Sequence, residues 1–119
     1  MHRFAVAFVA CLVAISAAHA APTYKKVEGS WRGSSLCQAA LDVEFEGTDK
    51  GGTLRWREGP TGPWSVVSVP EVAPVFNRFM VGSADNTTSV QGAIDGGRIE
   101  GSVTFYQRAC DYRFVLQRS

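Results

Sequence analysis

Cysteine and histidine are the residues whose placement restricts the chemistry of this chain most. The 119 residues hold three cysteines, Cys11, Cys37 and Cys110, and two histidines, His2 and His19. Cys11 and both histidines fall within the first twenty positions. There, His2 and Arg3 precede an uncharged apolar run over 4–15, and Ala18-His19-Ala20 follows with small residues flanking one position. This is the layout of a secretory signal peptide cleaved after Ala20. The apolar run is shorter than the roughly 20 residues that a membrane-spanning helix needs. From Ala21 onward the chain then has no histidine. That excludes Ser-His-Asp and Cys-His catalysis and removes the usual zinc ligands, so no metal and no cofactor are expected. Cys37 and Cys110 remain as an even pair in an exported chain and are expected to form a disulfide. Closing so long a loop contributes about 4 kcal/mol in the chain-entropy treatment.

Charge excludes further classes. The chain has 12 Lys and Arg against 11 Asp and Glu, and loss of Arg3 with the signal leaves a balance. A neutral chain has no long-range attraction for nucleic acid or an anionic membrane. No segment after residue 20 is apolar enough to span a bilayer.

The remaining candidates must be positioned by strands. Apolar and polar residues alternate along the chain, and turn residues interrupt them every eight to twelve positions. Strands are predicted over 27–37, 41–47, 53–57, 64–69, 75–81, 88–95, 98–106 and 110–117, leaving 21–26 as an N-terminal arm. Two hairpins specify their own register. Placing Glu46 opposite Thr53 sets Glu44 against Arg55 and Asp42 against Arg57 on one face. The other face then pairs Phe45 with Leu54 and Val43 with Trp56. Asp95-Gly96-Gly97-Arg98 suits a two-residue turn, which pairs Ile94 with Ile99, Gly92 with Gly101 and Val90 with Val103. The two glycines imply a close backbone approach or a sharp bend. A disulfide holds Cα atoms within about 7 Å. With Cys37 directly opposite Cys110, Gly33 meets Phe114, Trp31 meets Leu116 and Gly29 meets Arg118. First strand then pairs with last, and the expected fold is all-β: an eight-stranded antiparallel up-and-down barrel over 27–119. A two-sheet β-sandwich is the alternative.

Gly29-Ser30-Trp31 at the start of the first strand, with Arg118 ending the last, resembles the Gly-x-Trp and C-terminal Arg arrangement of the calycins. These include lipocalins, avidins and small bacterial metalloprotease inhibitors. The resemblance implies that Gly29, Trp31 and Arg118 close one barrel end, with the cation over the indole. The 29–33 opening, Gly101-Ser102-Val103 and the alternation from Cys110 to Arg118 also resemble small exported bacterial domains of no established function.

Loops on a rigid scaffold are where binding resides. The disulfide end gathers 58–63, 82–87 and 107–109, which makes Trp64, Asn86, Gln107, Arg108 and Asp111 the candidate binding residues. Asp85 and Asn86 also suit a plain turn. Trp31, Phe45, Trp56, Phe105, Tyr112 and Phe114 are expected to point inward and fill the barrel. The leading expectation is therefore a secreted or periplasmic, monomeric, non-enzymatic protein-binding or inhibitor module, with the arm 21–26 inserting into its partner. A small-ligand carrier is the alternative. A carboxylate-dependent glycosidase is more remote, because it needs two carboxyls about 5 to 9.5 Å apart, and only Glu58, Asp85 and Asp111 fall at one end.

Overall fold

A computed structural model describes residues 21–72 and 77–119. The expected signal peptide with its cleavage site, and positions 75 and 76 of the predicted fifth strand, lie outside the described residues. Eight strands follow in chain order: β1 (Thr23–Gly33), β2 (Leu41–Thr48), β3 (Gly51–Glu58), β4 (Ser65–Val69), β5 (Arg78–Gly82), β6 (Thr88–Asp95), β7 (Arg98–Phe105) and β8 (Cys110–Arg118). All pair antiparallel in one sheet of order β4-β3-β2-β1-β8-β7-β6-β5. The sheet curls into a nearly closed barrel in which first and last strands pair. Among the described residues the ladder is missing only between β4 and β5, its two edges.

Both hairpins hold the register that alternation predicts. Asp42, Glu44 and Glu46 face Arg57, Arg55 and Thr53, while Val43 and Phe45 face Trp56 and Leu54. Ile94, Gly92 and Val90 face Ile99, Gly101 and Val103. A Cβ on Gly92 would lie 2.7 Å from Cζ of Phe79, and one on Gly101 would lie 2.9 Å from Cζ of Phe114. The glycine pair thus makes room for two phenyl rings inside the barrel.

The β1–β8 register differs from the expected one by four residues. Gly33 lies opposite Cys110, Trp31 opposite Tyr112 and Gly29 opposite Phe114. The expectation placed Cys37 on a strand, but β1 ends at Gly33, which adopts φ 104°. The chain then turns back, with Cys37 N–H donating to Ser34 O at 3.4 Å and Ser34 N–H to Ala109 O at 3.1 Å. A loop cysteine meets the distance requirement as well as a strand cysteine does: the Cys37–Cys110 bridge forms with its Cα atoms 6.5 Å apart. The arm over 21–26 is likewise corrected. Thr23–Lys26 belong to β1, and Tyr24 is buried against Phe45 with ring centroids 5.7 Å apart. An aromatic at that position gains more by entering the core than by standing in water.

β1 pairs with β2 only from Thr23 to Lys25. A bulge between Lys26 and Glu28 then turns β1 toward β8 alone. Lys26 Nζ spans the resulting split, donating to Leu41 O and to Tyr112 Oη. The interior is filled from both halves of the sheet. Leu41, Val43, Phe45 and Leu54 on one side meet Val90, Ile99, Val103 and Leu116 on the other, all fully buried. Of the predicted inward aromatics, Phe45, Trp56, Tyr112 and Phe114 are buried, and Trp31 and Phe105 pack partly buried against them.

Both bridged cysteines are buried. Replacing them with Cys37→Ala and Cys110→Ala together is expected to remove about 4 kcal/mol. For a domain of this size that lowers the melting temperature by roughly 15 to 30 °C. Calorimetry on the double variant checks this, and an unchanged transition contradicts it.

Candidate functional site at the disulfide end

β1, β3, β5 and β7 end, and β2, β4, β6 and β8 begin, at the end that carries the disulfide. The loops 34–40, 59–64, 83–87 and 106–109 therefore gather there, which includes every loop expected at this end. Closure of the barrel is where the expectation and the structure part, for Trp31 and Arg118 were expected to meet and close the end opposite the disulfide. Trp31 lies opposite Tyr112 and Arg118 opposite Tyr24, six positions along β8 and so about 20 Å apart. The four-residue change in register separates them.

A different arginine closes the disulfide end. Arg108, in the β7–β8 turn, forms an ion pair with Glu58 at the end of β3. Its guanidinium lies 5.1 Å from the Phe105 ring centroid. β3 and β8 are separated in the sheet by β2 and β1, so this pair spans the barrel mouth. Beneath it, Trp31 packs 5.7 Å from Phe105 and 4.8 Å from Tyr112. Trp31 Nε1 donates to Ala39 O at 2.9 Å, tying down the 34–40 loop. At the other end Tyr24 performs the similar task, its hydroxyl donating to Gly96 O at 3.0 Å.

The other predicted binding residues are largely committed to structure. Trp64 is not offered to solvent at the loop tips. It is half-buried just before β4, with the Arg55 and Arg57 guanidiniums each 4.3 Å from its ring centroid. Those arginines also pair with Glu44 at 2.8 Å and Asp42 at 3.4 Å. The acid–base ladder of the β2–β3 hairpin is thus an aromatic-capped brace on the outer face. Asn86 takes φ 59° within a turn organised by Asp85. Asp85 Oδ1 accepts from Ser83 Oγ at 2.7 Å, Thr87 Oγ1 at 2.7 Å and Thr87 N–H at 3.1 Å. These donors, that of Ser83 foremost, hold its carboxyl at about 2 against an ordinary 3.8. Gln107 is exposed in the β7–β8 turn beside Arg108. Asp111 is on the outer face of β8, 3.7 Å from Arg113 Nε. The structure brings Glu58 to Arg108, and gives Asp85 and Asp111 separate partners.

Two residues passed over in the sequence stand out. Leu36 is 72% exposed and Tyr106 60% exposed. Leu36 adjoins Cys37, and Tyr106 opens the turn that leads to Cys110. Their loops are therefore joined by the bridge. The signal for Leu36 was available, as a large apolar residue inside the polar run Ser34-Ser35-Leu36. Among the described residues no group of His, Cys, Asp and Glu side chains is arranged to hold a metal ion. Compared with known families, curated proteins and solved structures, the chain matches none.

Trp64→Ala removes both cation–π contacts and uncovers the hairpin brace. A loss of about 1 to 2 kcal/mol is expected from denaturant unfolding. Asp85 gives a separate check by carboxyl NMR titration. Its folded value is depressed, so its contribution to stability is present above 3.8 and is lost as pH falls towards about 2. A midpoint near 3.8 contradicts the hydrogen bonding described here.

Proposed function

We propose that this chain is an exported, non-enzymatic module that binds another protein through the disulfide end of its barrel. The observation that carries this reading is the placement of Leu36 and Tyr106. Both are large, apolar and mostly exposed, and both sit on loops that the Cys37–Cys110 bridge joins. Apolar side chains presented on a braced frame lose little freedom when a partner buries them, which makes them good interface anchors. Gln107, exposed next to Tyr106, adds a polar group suited to the rim of such a contact.

The packed interior supports surface recognition over carriage of a small ligand. Fully buried side chains from both halves of the sheet occupy the space that a ligand would need. The glycosidase alternative has little support, because Glu58, Asp85 and Asp111 are each engaged with a different partner. Inhibition through an inserted N-terminal arm is also disfavoured, because Tyr24 is part of the core. The signal-like segment over 1–20 and a disulfide between buried cysteines together support export to an oxidising compartment. Among the described residues no helix is long and apolar enough to cross a membrane. The resemblance to calycin-type inhibitors is compatible with this reading and adds only the idea that the partner is a hydrolase.

The test is a pull-down from the extracytoplasmic fraction of the producing cells. A partner retained by the wild-type protein should bind the Leu36→Asp, Tyr106→Ser variant at least about tenfold more weakly. The variant's melting temperature should be unchanged, and Val66→Ser, on the outer face of β4, should bind as wild type does. Equal retention by the double variant overturns the proposal.

A further inference from the structure

The outer face of β5 to β8 carries a shallow groove of about 700 Å³. A second hollow of about 440 Å³ continues it across β7, β8 and β1, sharing Glu100, Gly101 and Arg113. Five neighbouring strands make the whole run about 20 Å long. The glycine pair Gly92 and Gly101 forms its floor. Rows of outward side chains stand on either side. Gln91, Ser102 and Arg113 are in register on one side, while Glu100 and Arg78 belong to the other.

We propose that this groove binds a neutral, polyhydroxylated ligand of the oligosaccharide class. The proposal is independent of the protein-binding face at the disulfide end. Its walls are rich in planar hydrogen-bonding groups that already brace one another. Gln91 Nε2 donates to Ser102 Oγ at 3.3 Å, and Asp111 Oδ2 lies 3.7 Å from Arg113 Nε. Paired donors and acceptors of this kind suit hydroxyl groups, which both donate and accept. Along the whole run two arginines, Arg78 and Arg113, stand against three carboxylates, Glu28, Glu100 and Asp111. A polyanion therefore gains no net attraction here.

Peptide recognition fits the groove less well. Backbone groups of β6, β7 and β8 are used by ladders on both sides, so no strand can be added along the floor. The apolar side chains needed to anchor a helix are absent from its walls apart from Met80, Ala93 and Val115. Phe79 and Phe114 point inward, so no ring stacks on a sugar and exchange is expected to be fast.

The experiment is a titration of the 15N-labelled protein with neutral gluco-, chito- and malto-hexaose. At least one is expected to give saturable amide shifts confined to 91–93, 100–102 and 111–114. Gln91→Ala with Arg113→Ala should weaken that binding roughly tenfold or more without changing the melting temperature. No shift with any of the three overturns the proposal, as do shifts that the double variant leaves unaltered. A response in the same region to unstructured peptides but not to sugars also overturns it and reassigns the groove to a protein partner.

Discussion

The pairing of β1 with β8 is the constraint on which the rest of the molecule depends. Without it the chain is two separate meanders, β1 to β4 and β5 to β8, each with an apolar face in water. β1 contacts β2 over only three positions but runs beside β8 from Tyr24 to Gly33. That long seam brings Phe45 and Leu54 of one meander against Ile99, Val103 and Leu116 of the barrel's other half. The gain from burying such side chains, about 1.5 to 3 kcal/mol each, is realised only when both halves are present. The disulfide, the Lys26 bridge to Leu41 and the Trp31 bond to Ala39 all brace the place where β1 leaves β2.

This arrangement decides which residues remain free to act. The disulfide end is closed from within by Trp31, Phe105 and the Arg108–Glu58 pair, so polar residues that look available in the sequence are consumed by closure. Arg108 is held by Glu58 and lies over Phe105, and Trp64 is enclosed by two guanidiniums. What the closed end still presents is Leu36 and Tyr106. The same tight curvature that seats Phe79 and Phe114 beneath a glycine pair leaves a hydrogen-bonding trough on the opposite side of the sheet. The packing inside and the trough outside thus share one stretch of sheet.

Local signals were legible in the chain and non-local ones were not. The β2–β3 and β6–β7 hairpins each join their strands by a short turn, and their two faces agree on one register, so Glu44 meets Arg55 and Val90 meets Val103 as alternation requires. β1 and β8 are separated by most of the chain, and their register rests on tertiary contacts. A cysteine pair restricts two Cα positions to one neighbourhood without requiring both to be on strands. Cys37 satisfies it from a turn after Gly33, and the four-residue difference moved Trp31 away from Arg118. The bulge at Val27 and the burial of Tyr24 likewise depend on where β2 and β8 lie. The β4–β5 seam was the other illegible part, because Val66 and Met80 are apolar yet exposed on the two edge strands.

The β1–β8 register is the claim that carries this account, and cross-strand nuclear Overhauser contacts measure it directly. The account predicts contacts from Trp31 to Tyr112 and from Gly29 to Phe114. Contacts from Trp31 to Leu116 and from Gly29 to Arg118 would instead place Cys37 on the first strand opposite Cys110, and would contradict it.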